Sequence, residues 1–242
     1  MAASAKRSGS RARGGRGFVR RALRWLLRAI LIFVGGSILW VIVYRFVPPP
    51  ITMTMIGDVI GGKSISKDWM PLSEMDPDMA HAVVSAEDGN FCRHHGFDFT
   101  AIQKALAGNE AGRRYRGGST ISQQTAKNAF LWQGRSWVRK GLEAWFTGLI
   151  ELIWGKKRIM EVYLNIAETG LGTYGANAGA MRYFHHDASG LSPAEAARIA
   201  AILPLPKKRS AIDPHGFVRR YGDRIARRLG PMKRGGYLAC LS

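Results

Sequence analysis

The amino-acid sequence predicts a mainly α-helical globular domain preceded by one apolar helix that is long enough to cross a membrane. Apolar residues recur at helical spacing along most of the chain after residue 70, and strand patterns are scarce. Residues 25–44 carry a single charge, Arg28. The chain has 242 residues, of which 46% are apolar, which suits one domain of ordinary size plus an appendage. We expect a basic tail at 1–24, an anchor at 25–44, a linker at 45–70 and the folded domain at 71–242.

The chain is strongly basic, with 36 Lys and Arg against 17 Asp and Glu and a formal net charge of +19. Such a surplus indicates an anionic partner, which could be nucleic acid, an acidic membrane or a phosphorylated substrate. Residues 1–28 hold basic residues and no acid, and this Gly-, Ser- and Arg-rich tail is predicted to be disordered. Cys92 and Cys240 lie far apart, so the sequence predicts neither a metal-ligand pair nor a disulfide framework from them.

The apolar run at 25–44 is predicted to be an uncleaved single-pass membrane anchor. A secretory signal peptide has a shorter apolar region followed by small residues at a cleavage site, and neither is present here. The positive-inside rule places the basic tail in the cytoplasm and the folded domain outside it, which disfavours a nucleic-acid partner. A helix buried in the protein core is the alternative, although the apolar character of this helix extends around its whole circumference.

Helix signals follow one another along the rest of the chain. Segment 51–72 is expected to include a strand, and the polar loop at 109–118, NEAGRRYRGG, is expected to move as a lid. Long or strongly patterned helices are predicted at 137–153, in KKRIMEVYLNIA, in ANAGAMRYF and after Asp213. Other helices are predicted to begin at cap residues: Asp76 before Pro77, Thr100, Ser119 or Thr120, and Ser192 with Glu195 in a capping box.

The first cluster with chemical potential is SAEDGNFCRHHGFD at residues 85–98. Glu87 and Asp88 end a predicted helix, where the helix macrodipole disfavours carboxylates unless another interaction requires them. A catalytic carboxylate is therefore favoured over a surface position. A metal site is the alternative, although adjacent histidines cannot both face one point from a regular helix. Its donors would be Cys92, His94, His95 and Asp98.

Two further clusters carry cations. In GGSTISQQTAKN, at 117–128, two glycines lead into a helix N-terminus that presents backbone N–H groups to an anion, and Lys127 lies two turns along. The Walker pattern is absent because no Lys follows the glycines at the required spacing. From Arg135 to Glu143, one helix face brings cations beside a second carboxylate, although an exposed ion pair between Arg139 and Glu143 is a common alternative.

These clusters resemble the signatures of the peptidoglycan glycosyltransferases. EDGNFCRHHGFD is similar to their ED-x-x-F-x-x-H-x-G-x-D pattern, and GGSTISQQTAKN, RKGLE and KRIMEVYLN are similar to the next three signatures in the same order. The resemblance covers roughly residues 85–165 and continues loosely through LSPAEAARIAAILPLP. It implies a lysozyme-like fold with a small flexible jaw, in the monofunctional, membrane-anchored branch of the family. It also implies that lipid II is polymerised into glycan strands with release of undecaprenyl pyrophosphate, at the bacterial inner membrane.

The resemblance implies roles for individual residues. Glu87 is expected to be the catalytic base, and Glu143 is expected to orient a cation or the donor near the pyrophosphate. Substrate is expected to contact Asp88, Ser119, Thr120, Gln123, Gln124, Lys127, Arg135, Arg139 and Lys140. The remaining signature residues are expected to shape the site: Phe91, His94, Gly96, Asp98, Glu161, Tyr163 and Asn165.

The expected partners are lipid II, the growing glycan strand and membrane lipids, with cell-division or elongation proteins as open candidates and no nucleic acid. No cofactor is required by the sequence, which leaves open a divalent cation, Mg²⁺ or Mn²⁺, at the pyrophosphate. Two competing functions remain. A lytic transglycosylase or muramidase would also use a Glu but would not need the cation clusters. A non-catalytic, membrane-anchored cell-wall scaffold would leave the paired carboxylates unexplained.

Overall fold

A computed structural model of the chain describes residues 11–110, 118–134 and 136–241. Arg135 and most of the predicted lid, residues 111–117, lie outside the described residues. The chain divides into two compact units, Met1–Trp40 and Val41–Ser242. Within the described residues the α-helices are α1 (Arg11–Phe46), α2 (Met53–Ile60), α3 (Pro77–Glu87), α4 (Phe99–Glu110), α5 (Ile121–Phe130), α6 (Trp137–Ile153), α7 (Gly155–Ile166), α8 (Ala176–Phe184), α9 (Pro193–Ile202) and α10 (Gly216–Arg234).

Helix α1 contains the predicted anchor. Its stretch Gly17–Phe46 is long and apolar enough to cross a membrane. Large apolar side chains such as Leu31 and Ile32 are exposed, which argues against a helix buried in a protein core. Residues 11–24 continue the helix, so the prediction of disorder is wrong for that part of the tail. The helix formed by the apolar residues that follow extends backwards into the tail, which the composition of the tail alone does not predict.

The predicted linker is wrong where α2 forms. Thr52 caps this helix, because its hydroxyl accepts a hydrogen bond from the backbone N of Met55. Met55 and Asp58 are buried, and the hydroxyl of Tyr174 donates to Asp58 at 2.6 Å. The helix is therefore part of the folded unit. The expected strand is present, but it is short and comes after α2.

Three short strands form one small sheet. They are β1 (Ser66–Lys67), β2 (Glu168–Gly170) and β3 (Thr173–Tyr174), in the order β1-β3-β2. Strand β3 pairs parallel with β1, so that Ser66 lies opposite Thr173, and antiparallel with β2. This sheet joins the segment after α2 to the loop between α7 and α8.

Two helix groups meet in one hydrophobic core. Helix α3 packs against α9 and α10, and α5 packs against α6 and α7. The apolar faces meet through fully buried side chains, among them Val83, Ile121, Ile150, Ile159 and Ile199. Helix α3 ends at the boundary between the two groups, so its C-terminal carboxylates lie where the groups meet.

Most predicted helix boundaries are confirmed. Pro77 opens α3 after the cap residue Asp76, Ser136 caps α6, and Ser192 with Glu195 forms the capping box of α9. The prediction for α4 is wrong: Asp98, not Thr100, lies at its start, and the Asp98 carboxylate accepts the backbone N–H of Ala101 at 2.8 Å. A carboxylate at a helix N-terminus also gains from the macrodipole.

The prediction that the two cysteines form no disulfide is also wrong. Cys92 and Cys240 are joined, with their Cα atoms 5.6 Å apart and a separation of 148 positions in sequence. Cys240 lies in a short 3₁₀ helix, Ala239–Leu241, that packs near α7. Two cysteines so far apart in sequence give no local signal of pairing, because only the tertiary fold brings them together.

Candidate active site

Glu87 lies at the last position of α3, where one hydrogen bond fixes its carboxylate. The side-chain amide of Gln124, on α5, donates to Glu87 Oε2 at 2.9 Å. The hydroxyl of Tyr163, on α7, in turn donates to Gln124 Oε1 at 3.3 Å. Because Tyr163 is fully buried, the orientation of the amide is set from the protein interior. The carboxylate of Glu87 is therefore held in place by residues from two other helices.

The surroundings of Glu87 make its carboxylate more basic. Burial raises the pKa of Glu87 above its ordinary value, and the negative charge of Asp88 acts in the same direction. The Gln124 hydrogen bond and the positive charges of Arg209 and Lys127 oppose this rise in pKa without cancelling it. A half-buried carboxylate with a raised pKa is a suitable proton acceptor near neutral pH.

Asp88 organises the turn that follows Glu87. His94 Nε2 lies 2.9 Å from Asp88 Oδ2, and the backbone N–H of Ile121 donates to the same oxygen at 3.0 Å. The backbone N–H of Gly96 donates to His94 Nδ1 at 3.1 Å, so Nδ1 is an acceptor and Nε2 carries the hydrogen that Asp88 accepts. Both oxygens of Asp88 thus lie against protein groups, and its expected contact with substrate stays a prediction.

The rest of the first signature supports the same turn. Gly96 has φ +90°, and a Cβ atom there would lie 2.8 Å from Thr147 Cγ2, so only glycine fits. Asp98 also accepts a hydrogen bond from the Asn90 amide at 2.8 Å, which lowers the pKa of Asp98. Phe91 is buried beneath the turn. The geometry agrees with the expectation that these residues shape the site.

The N-terminus of α5 is occupied by the protein's own side chains. Thr120 and Gln123 form a capping box, in which Gln123 Oε1 accepts the backbone N–H of Thr120 at 3.0 Å. The N–H of Ile121 is taken by Asp88, and the hydroxyl of Thr120 donates to the Gly96 carbonyl at 2.6 Å. The expectation that these N–H groups face an anion is therefore wrong for Thr120, Ile121 and Gln123. Ser119 is exposed, and its contact with substrate stays a prediction.

Two cations, the buried Arg139 and the half-exposed Lys140, contact the buried Glu143. The guanidinium of Arg139 donates to Glu143 Oε2 at 2.9 Å, and Lys140 pairs with Oε1. Arg139 and Glu143 are both buried, so this pair is not the exposed ion pair considered as the alternative. Arg139 Nε is buried and has no hydrogen-bond partner among the described residues. One N–H donor of the Arg139 guanidinium thus remains unused, in a site from which water is largely excluded.

Lys127 interacts electrostatically with both carboxylates. Burial lowers the pKa of its ammonium group, and the charges of Arg139 and Lys140 act in the same direction. The charges of Glu143 and Glu87 oppose this effect, which places both carboxylates within electrostatic reach of Lys127. In the described part of the chain, Lys127 makes no hydrogen bond or ion pair of its own. An anion entering here would meet Lys127, Arg139 and Lys140 together.

Residues of the fourth signature bind the segment that precedes α3. Asn165 is fully buried and pairs with both backbone groups of Met70: its Oδ1 accepts from Met70 N at 2.9 Å and its Nδ2 donates to Met70 O at 2.8 Å. Glu161 Oε2 accepts the backbone N–H of Leu72 at 3.0 Å. These contacts fasten the segment before α3 to α7, as expected of residues that shape the site.

The sequence prediction missed two neighbours of Glu87. Arg209 follows α9, and its charge lowers the pKa of Glu87. Tyr221, on α10, donates its hydroxyl to the Ala86 carbonyl at 2.8 Å, and its pKa is raised by burial and by the charge of Glu87. Both residues belong to the basic run at 207–228. The packing of α10 against α3 places Tyr221, whereas Arg209 is held by its hydrogen bond to the Ala201 carbonyl at 2.8 Å.

Three of the four donors considered for a metal site are engaged elsewhere, and the fourth, His95, is exposed. Cys92 is in the disulfide, His94 contacts Asp88 and Gly96, and Asp98 caps α4. The carboxylates of the site are likewise engaged, with Glu143 bound to two cations and Glu87 to Gln124. This donor set does not fit a divalent cation held by protein carboxylates, because such ions prefer several oxygen ligands.

A helical domain that brings a half-buried carboxylate of raised pKa near Lys127, Arg139 and Lys140 suits the transfer of a group from an anionic leaving group. The Transglycosylase family model matches residues 53–230, which is more than half of the chain. The chain therefore belongs to the transglycosylase family. The match begins at the first residue of α2, in agreement with α2 being part of the domain.

Curated relatives agree over nearly the whole length. The chain is 52% identical over 226 residues to a biosynthetic peptidoglycan transglycosylase of Caulobacter vibrioides, covering 93% of this chain and 99% of the relative. It is 50% identical over 226 residues to one of Xanthomonas campestris pv. campestris strain B100, covering 90% and 92%. It is 50% identical over 222 residues to one of Pseudomonas putida strain W619, covering 89% and 94%.

Replacing Glu87 with Gln should stabilise the fold near neutral pH. A raised pKa means that the folded state favours the protonated carboxyl, so ionisation of Glu87 destabilises the fold as pH rises. We expect the Glu87→Gln protein to have a higher Tm than the wild type near neutral pH, with the difference shrinking as pH falls to about 4. Thermal unfolding monitored by circular dichroism at both pH values measures this, with the exposed Glu74→Gln as the control. A lower Tm for Glu87→Gln at neutral pH would contradict the raised pKa.

Proposed function

We propose that this protein polymerises lipid II into β-1,4-linked glycan strands by inverting glycosyl transfer. The observation that carries the proposal is the pairing of one basic, half-buried carboxylate, Glu87, with the cations Lys127, Arg139 and Lys140 across a shared site. The family and the names of the curated relatives support the same reaction. The substrate is lipid II and the growing strand.

In the proposed reaction, Glu87 accepts the proton of the acceptor's 4-hydroxyl while that oxygen attacks the anomeric carbon of the donor. A new carbon–oxygen bond forms on one face of the sugar, and the bond to the pyrophosphate breaks on the other. The bonding electron pair leaves with undecaprenyl pyrophosphate. Gln124 keeps Glu87 in one orientation, so little reorganisation is needed as the proton moves.

The cation group stabilises the leaving group. A pyrophosphate gains negative charge as its bond to carbon breaks, and buried cations act on this charge more strongly than cations in water. Glu143 holds Arg139 and Lys140 in position. Arg139 Nε and the ammonium group of Lys127 then remain as donors to the anion. We propose that these side chains, rather than a protein-held Mg²⁺ or Mn²⁺, neutralise the pyrophosphate.

Glu87→Gln should abolish polymerisation while the protein remains folded. Removal of a general base costs about a hundredfold or more in rate. Labelled lipid II is incubated with the detergent-solubilised full chain, with and without a chelator, and the strands are separated by gel electrophoresis. Wild-type protein and the exposed control Glu74→Gln should make strands, also in the chelator. Release of fragments from purified cell wall, without strands from lipid II, would support a lytic enzyme; strands from Glu87→Gln would overturn the role of Glu87.

We further propose that the catalytic unit lies outside the cytoplasm, on the outer face of the bacterial inner membrane. The basic tail before the apolar helix supports an N-terminus in the cytoplasm. The Cys92–Cys240 disulfide supports the same orientation, because disulfides persist in oxidising compartments outside the cytoplasm.

Protease added to intact spheroplasts should remove the catalytic unit and leave a short tagged N-terminal fragment. The orientation predicts this result because protease reaches only the outer face of the inner membrane. An antibody to an N-terminal tag follows the fragment, and a cytoplasmic protein serves as the control for intact spheroplasts. Full-length protein that resists protease until the spheroplasts are lysed would reverse the orientation.

We also propose that α6 contacts the membrane surface. The exposed positions of α6 carry only apolar side chains or glycine, with Trp137 91% exposed and Leu152 83% exposed. The C-terminal end of this helix meets the last turns of α1, since Trp154 Nε1 donates to the Val41 carbonyl at 2.7 Å. An aromatic and apolar face beside the end of a membrane helix suits the bilayer interface. Phe99, the first residue of α4, is also exposed.

Replacing Trp137 and Leu152 together with Ser should slow polymerisation in lipid vesicles several-fold and leave the rate in detergent micelles unchanged. The reason is that the apolar face would no longer hold the site at the bilayer surface. The exposed Leu171→Ser, placed in the loop between β2 and β3, is the matched control. Equal rates in vesicles for wild type and the double variant would show that this face does not contact the bilayer.

A further inference from the structure

The Cys92–Cys240 disulfide joins the end of the chain to the turn that carries the catalytic base. Cys92 lies four residues after Asp88, within the turn that Asp88 and His94 organise. Cys240 lies in the 3₁₀ helix Ala239–Leu241. The sequence contains only these two cysteines, so this is the single disulfide that the chain can form. Both residues are half-buried, which leaves the bond within reach of solvent.

The segment after α10 contacts the same turn at a second point. The guanidinium of Arg93 lies over the ring of Tyr237, 5.6 Å from its centroid. Leu238, the next residue, is buried in the hydrophobic core. Lys233, near the end of α10, pairs with Asp78 on α3 at 2.6 Å. The C-terminal segment is therefore a packed part of the site and not a free tail.

The turn and the C-terminal segment are separated by a cavity that is open to solvent. It has a volume of about 370 Å³ and lies beside the end of α3. The hydroxyl of Ser85, two residues before Glu87, is buried without a hydrogen-bond partner among the described residues. The cavity is lined by Ser85, Gly89, Arg228, Pro231, Met232 and Tyr237. Across this open cavity the end of α3 and the segment after α10 do not pack directly against each other, so the covalent bond supplies a connection between them.

We propose that the Cys92–Cys240 disulfide is a positioning element of the reaction, which holds the turn after Glu87 against the C-terminal segment and thereby fixes the catalytic carboxylate. The inference rests on the proposed function. With the bond intact, Glu87 stays half-buried against Gln124. Without it, the turn shifts toward the cavity, water reaches the carboxylate, and the base is less well placed for the acceptor hydroxyl.

Two kinetic consequences distinguish positioning from simple stabilisation. Misplacement of a catalytic group by about an ångström lowers turnover by up to about a hundredfold, whereas substrate contacts remote from the turn keep KM unchanged. Greater hydration of Glu87 also lowers its pKa toward the ordinary value, so the acid limb of the turnover–pH profile moves to lower pH. The charged or titratable groups that face Glu87 are Asp88, Lys127, Tyr163, Arg209 and Tyr221. Breaking the disulfide changes the chemical identity of none of these groups, so a shift of the acid limb reports a change in position or hydration.

The test uses the full chain in detergent micelles with labelled lipid II. Four samples are compared: wild type and the Cys92→Ser/Cys240→Ser double variant, each with and without reductant. Wild type purified without reductant should show no free thiol by mass spectrometry. Assays run well below the Tm of every sample, with circular dichroism confirming the fold. Reduction of folded wild type reproduces the broken bond even where the double variant fails to fold, and reductant should not affect the double variant.

We expect reduced wild type and the double variant to lose about tenfold in kcat, with KM within about twofold and the acid limb shifted to lower pH. A lower Tm with unchanged kcat and pH profile would overturn the inference and leave the bond a stability cross-link. Free thiols in wild type purified without reductant would overturn it as well. An inactive oxidised wild type would overturn the proposed function and this inference with it, whereas an active wild type insensitive to reduction would overturn the inference alone.

Discussion

The carboxylate of Asp88 is the contact on which the arrangement of the site depends. It accepts from His94 within the turn and from the backbone of Ile121 at the start of α5, so one side chain joins α3, the turn and α5. Because α5 also carries Gln124, this junction sets the position of the amide that holds Glu87. Loss of either partner would leave a buried carboxylate with an unmet hydrogen-bond requirement, which is costly inside a protein. The junction therefore links the stability of the domain to the geometry of catalysis.

Burial shifts the pKa values of the ionisable groups in the site, and the same burial destabilises the folded protein. The pKa of Glu87 is raised and that of Lys127 is lowered, and burial is the largest cause of both shifts. Each shift means that the folded protein holds a charge it would be more stable without. The cost is offset by the mutual attraction of Glu143 with Arg139 and Lys140, and by the hydrophobic core into which Tyr163 and Phe91 are packed. An anionic pyrophosphate entering the site would relieve the excess positive charge, so substrate binding and charge compensation are the same event.

Local signals predicted the parts of the fold that local physics controls. Helices α3, α6 and α9 begin at Asp76, Ser136 and Ser192 because each side chain satisfies a backbone N–H of the first turn. Helix α2 was not predicted because its buried carboxylate, Asp58, is stabilised by Tyr174, 116 residues away. The disulfide and the two further neighbours of Glu87, Arg209 and Tyr221, were not predicted for the same reason, because their partners are distant in sequence. Within the site, residue types and spacing predicted the signature residues, but only the structure separates Gln124, which contacts Glu87, from Gln123, which caps α5.

The last residues of α1, 41–46, pack within the folded unit against the helices that carry the site. Trp154 ends α6 and precedes α7, and its indole N–H donates to the Val41 carbonyl. Arg158, one turn further along α7, donates to the Tyr44 carbonyl at 2.9 Å. Glu143 lies on α6 and Tyr163 on α7, so the last turns of α1 are fixed to the same two helices that hold the site. Residues 41–46 therefore belong to the same compact unit as Glu143 and Tyr163, so the packed domain begins within α1 and not after it.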